Sequence, residues 1–221
     1  MIADDTGLPR PRRISIVLFD GFEVLDVFGP VELFSMWPDD LTVEYLGPRR
    51  GPVRSSQGAH VVADAAYADA PAPDVVLVPG GIGTRALVVN AATLAWLSGW
   101  ARQAQIVTSV CTGSGVLAAA GLLDGYRATS NKRAFGWASR QGSEVTWVPH
   151  ARWIEDRDRW TSSGVAAGMD MAAALIDRLL GSGAGEEAAR RIELELHTDP
   201  DWDPFAGIYG LGGEAPPPDE R

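Results

Sequence analysis

The chain has one cysteine, Cys111, and three histidines, His60, His150 and His197, among its 221 residues. One thiol excludes an intrachain disulfide framework and fits a reducing compartment. Scattered histidines beside a single cysteine show no metal-ligand spacing, so no metal site is expected. Positive charge is also short: 19 Lys and Arg face 29 Asp and Glu, for a formal net charge of -10. Nucleic-acid binding rests on neutralising phosphates with basic side chains, so that class of partner is not expected. Long apolar runs are missing too. Ile14 to Phe19 is too short for a signal core and follows an acidic start at Asp4-Asp5, and no stretch approaches bilayer-spanning length. A cytoplasmic protein with no membrane partner is expected.

Apolar residues make up 46% of the chain, enough to bury a sizeable core, and 221 residues suit one α/β domain. That domain is expected over 13–205. Residues 1–12 are polar, and 210–221 carry Gly-Gly, three consecutive prolines and acids, so both ends are expected as flexible tails. Short β-branched runs at Ile14 to Phe19, Val43 to Leu46, Val75 to Val78 and Ile106 to Val110 predict buried strands. Helical patterns fall at Val31 to Trp37, Ala91 to Ala104, Gly113 to Ala120, Asn131 to Gln141, Val165 to Leu180 and Glu186 to His197. Ala151 to Ile154 and Trp160-Thr161, around a polar tip, predict a β-hairpin. Alternating strands and helices imply a mostly parallel sheet whose ligands bind at the carboxyl ends of the strands.

Cys111 stands where such a ligand would bind. The segment Ser109-Val110-Cys111-Thr112-Gly113-Ser114-Gly115 joins a strand to a helix through small residues, the steric requirement of a nucleophile elbow. A helix N-terminus there favours a thiolate. The competing reading is a small buried side chain that only packs. Pro79-Gly80-Gly81 closes another strand, and the N–H groups of Gly81 and Thr112 could form an anion hole; a plain turn or a phosphate loop are the alternatives, although no Gly-Lys-Ser/Thr follows. Asp26, flanked by Leu25, Val27 and Phe28, is either a carboxyl held protonated near the cleft or the N-cap of a helix starting near Pro30 or Val31. A histidine brought to Cys111 by the fold stays open as well.

The set Leu25-Asp26-Val27-Phe28-Gly29-Pro30, Pro79-Gly80-Gly81, Val107 to Gly113 and Gly121-Leu122-Leu123-Asp124-Gly125 resembles the ThiJ/PfpI superfamily, most of all its isonitrile hydratases. The likeness continues through Arg127-Ala128-Thr129-Ser130 and Ser163 to Asp170. It implies a flavodoxin-like three-layer sandwich with a nucleophile elbow, usually homodimeric, with no metal or organic cofactor. It assigns the nucleophile to Cys111, the partner carboxylate to Asp26, and supporting roles to Gly81 and Thr112. Thr112 stands where peptidase-like members carry histidine, and Asp26 where the deglycase and glyoxalase group carries glutamate. Ser130-Asn131-Lys132-Arg133 departs from the Thr-His-Trp of isonitrile hydratases. The implied reaction is cysteine-dependent hydration of a small-molecule isonitrile to an N-substituted formamide. The alternatives are a glyoxalase- or amidase-like enzyme on a reactive carbonyl or amide, and a non-catalytic redox sensor. A regulator with an added helix-turn-helix domain is not expected.

Overall fold

The computed structural model describes residues 2–3 and 9–211. Residues 1, 4–8 and 212–221, which hold half of the expected N-terminal tail and most of the C-terminal one, lie outside the described residues. Strand β1 (Arg12–Val17) leads to helix α1 (Val24–Phe34), and β2 (Leu41–Gly47) follows. A small antiparallel pair, β3 (Gly51–Arg54) and β4 (His60–Ala63), and the short β5 (Ala65–Ala66) come next. Then come β6 (Val75–Val78), α2 (Thr84–Leu87), α3 (Ala91–Ala101), β7 (Ile106–Ser109) and α4 (Gly113–Ala119). After a short parallel pair, β8 (Arg127–Ala128) and β9 (Thr146–Trp147), which bracket α5 (Phe135–Ala138), the hairpin β10 (Trp153–Asp156) and β11 (Arg159–Ser162) completes the strands. Helices α6 (Ala167–Leu180), α7 (Ala184–Arg191) and α8 (Pro204–Ile208) follow.

The main sheet has seven strands in the order β10-β11-β7-β6-β1-β2-β5. All its pairings are parallel except the β10–β11 hairpin at one edge. All four residues of β6 and all four of β7 are buried, as expected of central strands covered on both faces. One helical group, α1, α6 and α7, packs together, and α2, α3 and α5 gather on α4. The result is an α/β flavodoxin-like sandwich. The carboxyl ends of β1, β6 and β7 open side by side, and the segments that lead to Asp26, Gly81 and Cys111 leave from them.

Several boundaries differ from the sequence expectation. Helix α1 starts seven residues earlier than Val31, and Pro30, which suggested a start, lies inside it. Proline there cannot donate to the Asp26 carbonyl, yet the helix continues because Val27, Leu33 and Phe34 bury its inner face. The helix expected over Asn131 to Gln141 contracts to α5 and a 3₁₀ turn at Ser139–Gln141. Asn131 Oδ1 accepts the Ala134 N–H at 3.0 Å instead, a local turn that competes with helix. The helix expected to reach His197 ends at Arg191. Glu193 takes φ 54, its N–H bonds Arg190 C=O, and Leu194 N–H reaches back to Ala189 C=O. This is a Schellman stop formed without its usual glycine. Within the expected N-terminal tail, Ile2–Ala3 pairs antiparallel with Pro9–Arg10, Arg10 meets the Asp74 carboxylate at 2.6 Å, and Arg12 opens β1.

The segment after α7 is strapped back onto the domain. Arg152 N–H donates to Pro200 C=O and Asp203 N–H to His150 C=O, both at 2.8 Å. Beneath it, Arg152 pairs with Asp170 (Nε to Oδ2, 2.7 Å) and sits 3.9 Å from Asp203. Lys132, the only lysine, donates to Thr129 Oγ1 at 2.7 Å and to Ala151 C=O. All four charged groups are buried.

Candidate active site

The turn after β7 places Cys111 at φ 58, a conformation that costs a non-glycine residue and persists only where neighbours enforce it. They do so here. The Cys111 N–H lies 3.2 Å from both Ser162 C=O and Ser163 C=O. Its own carbonyl accepts from Ser130 Oγ at 3.0 Å and from Ser114 Oγ at 3.2 Å. Gly113 lets α4 start against β6, because a Cβ there would fall 2.1 Å from the Val78 carbonyl oxygen. Across the turn, a Cβ on Gly164 would sit 2.6 Å from Cys111 Sγ and 2.7 Å from Asn131 Nδ2. The sulfur is therefore closely walled, and Cys111 is only 6% exposed.

Asp26 sits in the first turn of α1, fully buried, and caps nothing; the N-cap position is Glu23, whose side chain makes no capping bond. The capping alternative is therefore set aside. Its Oδ2 accepts the Gly80 N–H at 2.8 Å, while Gly80 C=O accepts the Glu23 N–H at 2.8 Å. Oδ1 has no well-aligned donor among the described residues. The Cys111 thiol beside it is the group left to share a proton with it. Burial pushes the Asp26 carboxyl from 3.8 up to about 8, against the opposing pull of the Gly80 N–H. Burial, then the neighbouring Asp26 charge, also push the Cys111 thiol well up, although Thr112 N–H and hydroxyl act the other way. The helix end thus favours a thiolate less than desolvation disfavours it. At neutral pH the pair is a thiol facing a carboxylic acid.

Thr112 and Gly81 meet, as their strands are neighbours. The Gly81 N–H donates to Thr112 Oγ1 at 3.1 Å, and the Thr112 N–H and hydroxyl face the Cys111 sulfur. Of the two expected hole donors, Thr112 thus faces the sulfur directly and Gly81 braces Thr112. None of the three histidines lines this cleft, which encloses about 690 Å³. Sequence reasoning missed Arg85 and Trp137, and met Gly164 only as part of the Ser163 to Asp170 likeness, with no role at the site. Arg85 donates to Thr84 Oγ1 at 2.9 Å and stacks 3.9 Å over the Trp137 ring. Asn131 also lines the cleft; the one signal for it was the unusual Ser130-Asn131 pair. Among the described residues, no group of three or more His, Cys, Asp or Glu could hold a metal ion. Nor is any helix long and apolar enough to cross a membrane.

A cysteine elbow at the carboxyl edge of a parallel sheet, with a buried carboxyl facing the sulfur, defines a class of α/β proteins with one walled-in thiol at the end of the sheet. The chain belongs to the DJ-1/PfpI family, whose model matches residues 12–178. It is 35% identical to an isonitrile hydratase of Pseudomonas putida over 85% of this chain and 79% of that protein. It is also 34% identical to the HTH-type transcriptional regulator GbdR of Pseudomonas aeruginosa, over 76% of this chain but 47% of the regulator. Among solved structures, a ThiJ/PfpI family protein from Pseudomonas syringae superposes with a TM-score of 0.77 at 32% identity. That match covers 85% of this chain and 76% of the other. Drosophila melanogaster DJ-1beta shares the fold at TM-score 0.72 and 20% identity, over 84% and 99% of the two chains.

Proposed function

We propose that this protein hydrates an organic isonitrile, R–N≡C, to the N-substituted formamide, with Cys111 as nucleophile and Asp26 as proton carrier. The observation that supports this most is the buried Cys111–Asp26 pair, in which the carboxyl keeps its proton up to about pH 8. The likeness to an isonitrile hydratase over most of the chain gives the substrate class.

The isonitrile carbon must receive a proton and a nucleophile at one atom. Asp26 delivers its proton to that carbon as the Cys111 sulfur adds, and takes up the thiol proton, leaving the thioimidate R–N=CH–S–Cys111 with Asp26 again protonated. Water then adds to the same carbon. Asp26 protonates the nitrogen and accepts a proton from the water, giving R–NH–CH(OH)–S–Cys111. In the collapse, the carbon–sulfur bond breaks, the hydroxyl proton passes to Asp26 and the Asp26 proton returns to sulfur. Formamide leaves and the thiol is restored. The Thr112 N–H and hydroxyl steady charge on sulfur during addition and departure. The same reading takes the protein as a cytoplasmic homodimer over residues 13–205 that uses no cofactor. Formamide production from cyclohexyl isonitrile tests it: wild type turns over, and Cys111→Ala and Asp26→Ala do not. Unchanged turnover in Cys111→Ala refutes the covalent route.

A further inference from the structure

The cleft above Cys111 is charged opposite to the protein that carries it. The chain bears ten more acidic than basic groups, yet the cleft is lined by three guanidinium groups, Arg85, Arg133 and Arg140, against one carboxylate, Glu23. That carboxylate is engaged by the Gln57 side-chain amide. Among the described residues, Arg85, Arg133 and Arg140 make no ion pair. Arg85 is half-buried and fixed by the Trp137 ring and Thr84, while Arg133 and Arg140 are exposed on either side of α5. Asp26 adds no charge below about pH 8. A small molecule approaching the sulfur therefore meets a positive field at the mouth and a neutral pair at the floor. Low-dielectric walls concentrate such a field.

We propose that the substrate carries an anionic group, of carboxylate size, which Arg133 and Arg140 hold at the cleft mouth in front of Arg85 while its reactive carbon reaches Cys111. This rests on the isonitrile reading for the reacting carbon only; the anion subsite stands on the arginines. Guanidinium groups suit this task, since their paired N–H donors match a carboxylate.

Alkylation of Cys111 tests the subsite without any turnover. In both iodoacetate and iodoacetamide the sulfur forms a bond to the methylene carbon, iodide leaves with the bonding pair, and the thiol proton passes to buffer. Both reagents draw on the same thiolate population, so their rate ratio isolates the effect of the carboxylate charge. Measured by intact mass at pH 7 and low salt, the iodoacetate-to-iodoacetamide ratio, divided by that of a free cysteine thiol, is expected at about three- to tenfold above one. Arg133→Gln/Arg140→Gln should return it to about one while changing the iodoacetamide rate less than twofold. A wild-type ratio at or below one, or a raised ratio that survives in the double variant, overturns the proposal. Turnover of neither isocyanoacetate nor its ethyl ester, with the alkylation preference intact, refutes the isonitrile reading and leaves the subsite supported.

Discussion

Replacing Asp26 with asparagine should change how stability depends on pH more tellingly than its level. The carboxyl is fully buried and its proton affinity is raised from 3.8 to about 8 by desolvation. A group whose folded value lies above its unfolded value holds its proton more tightly in the native state. Its stabilising contribution is complete below the unfolded value and is lost as pH rises through the folded one. Wild type should therefore weaken between about pH 4 and pH 8, relative to a protein whose residue 26 cannot ionise. One proton across this window is a loss of about 3–4 kcal/mol between pH 5 and pH 8. Asparagine keeps the acceptor for the Gly80 N–H but places an amide N–H₂ against the sulfur, a constant penalty of about 1–3 kcal/mol for an unmatched buried donor. That penalty does not vary with pH, so only the slope reports the carboxyl. Urea unfolding of both proteins at pH 5, 6, 7 and 8 measures it. A stability difference between them that stays flat across this range refutes the claim that Asp26 is neutral in the folded protein.

Gly164→Ala should press a methyl carbon into the Cys111 sulfur and Asn131, 2.6 and 2.7 Å away. The expected cost is about 1–3 kcal/mol by urea unfolding, with slower alkylation of Cys111 by iodoacetamide; an unperturbed alkylation rate argues against close walling of the sulfur. Arg152→Met should leave the buried Asp170 carboxylate with the His197 N–H but no cation, and Asp203 without its nearest guanidinium. A loss of about 3–5 kcal/mol is expected for breaking such a pair, read from the urea midpoint at pH 7.

The geometry of the site was legible wherever one residue must satisfy a steric rule unaided. The four strands were readable because apolar, β-rich runs have few other uses, and Val75–Val78 was placed to the residue, although Val43, Glu44 and Tyr45 of β2 are only half-buried. The elbow was readable because small residues crowd around a lone cysteine. Asp26 was ambiguous, since a proline four residues later is equally at home at the start of a helix. Only the packing of Val27, Leu33 and Phe34 decides that α1 begins before it. The raised proton affinity of Cys111 was also out of reach. Sequence shows the helix that follows, and not the walls at Gly164 and Asp26 that dry the sulfur. Arg85 and Trp137 lie 52 residues apart and carry no motif, so their stacking exists only in the fold. The Glu193 helix stop lacked the glycine by which such stops are recognised.

The strap at residues 200–203 has a consequence for how this domain can be joined to others. Asp203 is seated beside Arg152 and caps α8 by accepting the Phe205 N–H at 2.9 Å. Lys132, whose proton affinity the Asp203 charge props up against burial, belongs to the loop that carries Asn131 into the cleft. The segment that enters α8 is thus a keystone for one wall of the site, although it does not itself line the cleft. Anything appended to this fold has to begin beyond that keystone or replace the negative charge it supplies. A cut or fusion placed a few residues too early would unsettle that wall from behind.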